Sequence, residues 1–378
     1  MIRTVIVLGL AQTLAWASSY YLPAIVAVPM ARDLAVDEAW IYGAFSTALL
    51  IGAALGPRIG RTIDRFGGRG VLSASNLVIA GGLVLLAFAR SLPLAWAGWL
   101  VLGVGMALGL YDAAFAALGR IFGERARPAI VGITLFAGFA STVGWPLTAW
   151  GVETIGWRDT CLAWAAANLV LGLPLNALLL PRAGPTQVTA TTGARPDVPM
   201  DARMWLLAIA FALAWMVTSA MAVHLPRILE AAGATATQAV VAGALVGPAQ
   251  VAARLAEAGV LRRFHPLVGA RLAASAHPLG ALLLAVAGAA FPYGFVLLHG
   301  AGNGILTIAR GTVPLAVFGP ENYGYRLGLI GAPARIAQAF APMLFGVLIA
   351  PLGAGVLGLS SILSLLALLA FLLVTPRK

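Results

Sequence analysis

Apolar residues run through this chain in long unbroken blocks, without the strict alternation of a half-buried strand. Short polar clusters interrupt the blocks about every 30 residues, which is the length of a membrane-spanning helix plus its connection. The first block covers about 4–30, and an acidic stretch from Asp33 to Glu38 follows it. Further blocks lie at about 40–59, 71–89, 94–118 and 128–152, and a sixth runs from the turn Gly156-Trp157-Arg158-Asp159 to about 180. Between Pro181 and Arg203 the chain becomes rich in Pro, Thr and Gly, a composition suited to a linker. Six more blocks follow at about 204–225, 238–257, 267–290, 293–318, 327–350 and 353–374. The pattern predicts an all-α membrane protein of twelve transmembrane helices. They fall into two six-helix bundles, 1–181 and 204–378, joined by a cytoplasmic linker over 182–203.

Composition excludes a water-soluble globule: 61% of residues are hydrophobic and 10% charged, and the mean hydropathy is +0.95. The formal charge of +11 would point to nucleic acid in a soluble protein. Here the basic residues gather in alternate connections instead. Arg3, Arg58, Arg61, Arg65, Arg69, Arg120, Arg125, Arg127, Arg182, Arg195, Arg203, Arg262, Arg263, Arg326, Arg377 and Lys378 fall on one side, and only Arg32, Arg90, Arg158 and Arg227 on the other. That asymmetry places both termini in the cytoplasm of a plasma (inner) membrane protein, with lipid rather than nucleic acid around it. The start Met1-Ile2-Arg3 leads into a block too long for a signal-peptide core, and is expected to be a retained first span. Trp40, Trp150 and Trp157, near the predicted outer ends, fit an interfacial aromatic belt. A single cysteine, Cys161, and four scattered histidines predict no metal site and no cofactor, with Cys161 serving helix packing.

The halves echo one another. Leu55-Gly56-Pro57 in the second span corresponds to Val246-Gly247-Pro248 in the eighth. Gly103-Val104-Gly105 and Ile121-Phe122-Gly123 in the fourth correspond to Gly300-Ala301-Gly302 and Val317-Phe318-Gly319 in the tenth. Two such repeats imply a pathway between them that opens alternately to each side.

The most polar short segment of the first half, Gly60 to Arg69, joins spans two and three as a predicted tight turn. There Gly60 and Gly67 permit close approach, and Asp64 can pair with arginines or with the positive end of a neighbouring helix. Its pattern, Gly60-x-x-x-Asp64-Arg65-x-Gly67-x-Arg69, resembles the signature that the major facilitator superfamily carries between its second and third spans. The resemblance covers essentially the whole chain. It implies a secondary transporter, a monomer working by alternating access, in which Gly60, Asp64, Arg65, Gly67 and Arg69 take part in gating. A narrower likeness is to monocarboxylate porters and oxalate/formate-type exchangers, through Arg254 in span eight and Gly156-Trp157-Arg158 before span six. Those porters typically place an acid four residues before the arginine, where this chain has Gln250, so coupling of a proton through that position is put in doubt.

Four ionisable side chains fall inside predicted spans: Asp112, Arg254, Arg310 and Arg335. Each costs about 2.5–3.5 kcal/mol at a helix centre, so they should face protein or a wet cavity. Asp112 and Arg310 occupy nearly equivalent repeat positions, where a salt bridge would fit. The arginine excess favours an anionic solute such as a carboxylate, with or without a coupling proton. Tyr20, Gln250, Asn303 and Gln338 are further candidates for hydrogen bonds to substrate, and Pro333 for a bend in span eleven. Arg271, near the start of span nine, is expected to reach the headgroups, and His224 and His299 to be packing residues. Export of drug-like compounds is the competing transport reading. It is weakened because span four carries Asp112 and no mid-span arginine. A membrane enzyme would need a paired acid and base or metal ligands near a helix end, and no such set is evident. A receptor would bring a soluble domain for which the loops are too short.

Overall fold

The computed structural model describes residues 1–182, 198–288 and 292–375; most of the predicted linker, with Arg195, lies outside them, as do Arg377 and Lys378. All regular structure among the described residues is helical. That follows from the solvent: a bilayer cannot hydrogen-bond exposed peptide groups, so each crossing segment must satisfy its own backbone.

The first span is two helices, α1 (Ile2–Ser18) and α2 (Pro23–Asp33). Span two is α3 (Glu38–Phe66), capped by Asp37, whose Oδ1 accepts from the Ala39 N–H at 2.8 Å. Span three is α4 (Gly68–Ala87), and span four is again divided, into α5 (Leu92–Gly109) and α6 (Tyr111–Phe122). Span five is α7 (Arg127–Ala137) with the start of α8 (Ala140–Ala167). Gly156, at φ 82° and ψ 161°, then turns α8 back as span six, where the sequence predicts a turn. Span six ends in two π-helical stretches, Asn168–Gly172 and Leu175–Leu179. The later spans are α9 (Ala202–Ala231), α10 (Ala236–Ala244) with α11 (Val246–Gly259), α12 (Pro266–Ala287), α13 (Tyr293–Phe318), α14 (Tyr323–Leu352) and α15 (Val356–Leu373). Asp201 caps α9 through its Oδ1, which accepts from Met204 N–H at 3.0 Å. α14 stays helical through Pro333.

The helices cluster into two units, Met1–Val198 with Gly319–Leu329, and Pro199–Phe318 with Ile330–Lys378. The start of α14 thus belongs to the first unit and the rest of it to the second. One core gathers Leu22, Met30, Ile41, Leu83, Trp99 and Cys161 in the first unit, and another gathers Met221, Ile228, Phe295 and Phe345 in the second.

The echoed glycines do the same work in each unit. A Cβ on Gly103 would fall 2.6 Å from Ala48 O in span two, and one on Gly105 would fall 3.0 Å from Ile79 N in span three. In the second unit a Cβ on Gly300 would fall 2.9 Å from Val246 O in span eight, and one on Gly302 would fall 2.7 Å from Ala273 O in span nine. Missing side chains therefore let spans four and ten approach their two neighbours backbone to backbone, as small residues do in membrane bundles. Gly123 (φ 57°) and Gly319 (φ 79°) close the two spans in the left-handed region.

Several expectations are corrected. The segment from Gly60 is not a turn: α3 continues to Phe66, and Gly67 alone (φ 84°) reverses the chain. Trp40 and Trp150 are exposed as belt residues should be, but Trp157 is buried and donates from Nε1 to Asp33 Oδ2 at 2.8 Å. Arg271 does not reach for headgroups. Its Nε donates to Phe371 O at 3.1 Å and its Nη2 to Val374 O at 3.3 Å, because the end of α15 leaves carbonyls that a guanidinium satisfies.

Candidate functional site

The signature segment is organised around Asp64, on the last turns of α3. Its Oδ1 accepts from Gly324 N–H at 2.8 Å and its Oδ2 from Tyr325 N–H at 2.7 Å, so one carboxylate takes two of the unsatisfied amides at the start of α14. The approach depends on glycine. A Cβ on Gly60 would stand 1.9 Å from Gly324 O, and one on Gly328 2.5 Å from Gly56 O. Gly60 is therefore a packing surface and Gly67 the turn. Arg120 in α6 donates from Nε to the backbone carbonyl of Asp64 at 3.1 Å. Arg69 donates to Ala177 O inside the second π-helical stretch, and Arg65 is exposed, its guanidinium 5.0 Å from the Phe66 ring centre.

The second unit holds the arginines. Arg254 in α11 is 4% exposed and Arg310 in α13 is 6% exposed, so neither reaches free water. Gln250 Oε1 accepts from Arg254 Nη2 at 3.3 Å, one turn earlier on the same helix. The Arg310 guanidinium carbon lies 5.5 Å from the Trp215 ring centre, a cation–π contact. Arg335 is half-buried in α14. Gln338 receives Ser219 Oγ on its backbone carbonyl at 2.9 Å, and Asn303 Oδ1 accepts from Thr218 at 3.3 Å. Glu257, one turn past Arg254 and 3% exposed, belongs to the same buried set and was not anticipated from the sequence, where it reads as a helix-end residue.

Asn303 also lines a cavity of about 20 Å³ with Thr218, Ser364, His277 and His299. That is room for about one water. His277 Nδ1 lies 3.0 Å from His299 Nδ1 and His277 Nε2 lies 2.8 Å from Ser360 Oγ, both rings being buried. His224 Nε2 is 2.8 Å from Pro342 O. Among the described residues no group of three or more His, Cys, Asp or Glu side chains could hold a metal.

The first unit holds the remaining candidates. Asp112 sits in the first turn of α6, just past the interruption at Leu110 (φ −83°, ψ −170°), rather than mid-helix. Tyr20 lies in the gap between α1 and α2, its ring 4.9 Å from Trp16 and 5.6 Å from Phe45. Trp16 also meets Tyr111 at 4.8 Å. Three buried asparagines join spans three and six: Asn76 is 3.2 Å from Asn168 and 2.8 Å from Asn176, and Asn168 Nδ2 donates to Ser18 Oγ at 2.9 Å. Arg158, named by the likeness to carboxylate porters, is a fastener instead. It pairs with Asp33 and donates to Ala89 O at 2.9 Å.

Among the described residues, helical passes of membrane-crossing length and composition, with ionisable residues buried in them and a carboxylate clamped on a helix start, define a polytopic membrane protein. The family model of the Major Facilitator Superfamily matches residues 8–298, and the chain belongs to that superfamily, whose members are transporters and not enzymes. Over 151 residues the chain is 35% identical to "Monocarboxylate transporter 11" of Mus musculus, which covers 39% of this chain and 32% of that protein. The human protein of the same name is 34% identical over 149 residues, covering 39% and 30%. The match thus spans about a third of the length of these curated relatives. Among solved structures, the human organic anion transporter MFSD10 (TETRAN) superposes with a TM-score of 0.76 at 17% identity, covering 98% of each chain. The proton:xylose symporter XylE bound to 6-bromo-6-deoxy-D-glucose does so at 0.72 and 16% identity, covering 99% of this chain and 97% of that one. At such identities the structures attest the fold.

Proposed function

We propose that this transporter carries a small organic anion, a carboxylate, by alternating access across a plasma (inner) membrane, with both termini cytoplasmic and the monomer as working unit. The moving bodies are 1–181 and 204–378, joined by the linker 182–203. The observation that carries the reading is the burial of Arg254 and Arg310 within the spans. Charged side chains inside spans cost about 2.5–3.5 kcal/mol each on insertion scales and mark substrate pathways, and two cations there favour an anionic cargo. Arginine suits the task because its planar fork matches a carboxylate with two parallel hydrogen bonds. The printed names of the relatives, a monocarboxylate transporter and an organic anion transporter, lend support. Gln250, Asn303, Gln338 and Arg335 complete the substrate contacts of the second unit in this reading, and Tyr20 and Asp112 are the candidate contacts within the first. Gly60, Asp64, Arg65, Gly67 and Arg69 form the gate, which closes when Asp64 takes the start of α14 and opens when it lets go.

The test is counterflow in proteoliposomes loaded with unlabelled lactate or pyruvate, with the labelled acid outside. Wild type should exchange the acid. Arg310→Ala and Arg254→Ala should lose exchange while keeping the folded protein, since truncating one partner of a buried charge pair costs about 2–5 kcal/mol. Exchange at wild-type rates in both variants overturns the reading, as does exchange of amines or sugars without that of any acid.

A further inference from the structure

Two buried histidines of the second unit have no part in the reading above. His277 on α12 and His299 on α13 set Nδ1 against Nδ1 at 3.0 Å, so one of these nitrogens carries a hydrogen and the other a lone pair. Ser360 decides which. Its hydroxyl donates its one hydrogen to Leu357 O at 3.1 Å and so has only lone pairs to offer His277 Nε2, 2.8 Å away. His277 therefore holds its hydrogen on Nε2, its Nδ1 accepts, and His299 donates from Nδ1. The chain runs one way, from His299 through His277 and Ser360 to the Leu357 carbonyl. It leaves Nε2 of His299 as a bare lone pair, on a residue that lines the cavity of about 20 Å³ shared with Thr218, Asn303 and Ser364. That cavity takes about one water, and a water donates to such a nitrogen. Both nitrogens of His277 and Nδ1 of His299 are already committed, so a further proton has one place to go, and taking it breaks no bond.

We propose that Nε2 of His299 binds a proton that crosses the membrane with the anion. The proton arrives through the cavity water, adds to the lone pair, and leaves by water when the carboxylate is released; the bond from His299 Nδ1 to His277 is kept throughout. This inference rests on the carboxylate reading above and deepens it, since Gln250 offers no titratable group for the purpose. Charge supplies the link. None of the cavity-lining side chains from α9, α12, α13 and α15 is charged. The nearest charged groups along these helices are Arg227 on α9, Arg271 on α12 and Arg310 on α13, with Tyr293 a further titratable group on α13, and α15 carries none. Of the other helices, α10 carries none, α11 adds Arg254 and Glu257, and α14 adds Arg335. The Glu257 carboxylate lies beside Gly269, about 12 Å before His277 along α12. An anion bound at Arg254 and Arg310 makes the potential within the unit more negative and so favours a positive charge on His299. By linkage the proton favours the anion equally.

The experiment measures net uptake of labelled lactate into proteoliposomes of the full chain, with and without an inward proton gradient. Counterflow at equal pH is the reference, because exchange needs no net movement of protons. Wild-type uptake should rise at least about fivefold with the gradient. His299→Gln keeps an N–H for His277 Nδ1 and removes the basic nitrogen, so it should lose the rise and keep counterflow. A rise that survives His299→Gln overturns the site and leaves the carboxylate reading standing, as does counterflow in a wild type that shows no rise. The tautomers give a second readout that needs neither transport nor a variant. The chain has four histidines, so nitrogen-15 NMR of the histidine-labelled protein reads each ring, and the bonded pair identifies itself by coupling across the Nδ1–Nδ1 hydrogen bond. At about pH 8 the donor ring should hold its hydrogen on Nδ1 and the acceptor ring on Nε2. Toward about pH 5 the donor ring should gain a second hydrogen on Nε2, and at a higher pH when lactate is present. Two rings with hydrogen on Nε2 at the start, or a donor ring that stays neutral with lactate, overturns the proposal even where His299→Gln fails to fold. If neither lactate nor pyruvate shows counterflow, the carboxylate reading fails, and the acid titration of the donor ring alone upholds or overturns the proton site.

Discussion

Replacing Asp64 by Asn tests the clamp at the start of α14 with almost no change of volume. In the native protein two charge-assisted bonds, at 2.8 and 2.7 Å, join the carboxylate to Gly324 and Tyr325. Hydrogen bonds to charged groups contribute about 1.5–3 kcal/mol each. Asparagine keeps one acceptor, for about 1 kcal/mol, and turns an NH2 group toward the other backbone N–H. It also loses the interaction of a full negative charge with the helix start, about 0.3–1 kcal/mol. Asp64 is only half-buried, so the lower end of the range applies, and the net loss is about 2 kcal/mol, or ~30-fold in the equilibrium between clamped and released states. Amide exchange read by mass spectrometry over 319–329 should accelerate by about that factor in Asp64→Asn, because Gly324 and Tyr325 lose their acceptor. In proteoliposomes, turnover should slow while substrate affinity changes little, since the perturbed equilibrium is between conformations. Unchanged exchange over this segment together with an unchanged turnover number would refute the clamp.

Two further substitutions test the packing that positions these groups. Gly60→Ala would force a methyl group to within 1.9 Å of the Gly324 carbonyl oxygen, where backbone cannot step aside; a loss of about 1–3 kcal/mol is expected as a lowered unfolding temperature in detergent. Gly70→Ala, with nothing within 4 Å of the added carbon, is the control, and equal stability of the two variants refutes the argument. Asn168→Ala removes bonds to Ser18 Oγ and Trp164 O, both at 2.9 Å, and takes from Asn76 a neighbour 3.2 Å away. A loss of about 1–3 kcal/mol should again appear in thermal unfolding, and a wild-type transition would mean the ladder contributes nothing.

The helical passes among the described residues were legible because hydropathy reports composition, and in a bilayer composition and crossing are nearly the same physical requirement. The interruptions in spans one and four were not legible. Ser18, Ser19, Gly109 and Leu110 sit inside continuous apolar blocks, and a local departure of φ and ψ changes no hydropathy sum. Asp64 could be recognised as a residue at a helix end, able to meet the positive end of another helix. Its partners could not, since they are backbone amides 260 and 261 positions away. The same limit hid the pairing of His277 with His299 and the bond from Gln12 to Gly109. Conversely, Arg271 and Arg158 carried the right charge for headgroups or substrate, and went to unsatisfied carbonyls and to Asp33 because those partners lay nearer.

The repeated glycines and the unrepeated polar groups answer different demands. Close approach of spans four and ten to their neighbours needs only the absence of a side chain, so a duplicated pattern of Gly103, Gly105, Gly300 and Gly302 produces duplicated backbone contacts. Recognition of a cargo needs unlike groups, because a small asymmetric solute presents a different chemistry at each end. The buried polar residues differ between the units: amides and aromatic rings around Gln12, Trp16 and the asparagine ladder in the first, arginines and histidines in the second. Exchanging polar character at matched positions should therefore damage transport far more than stability, whereas exchanging the glycines should do the reverse.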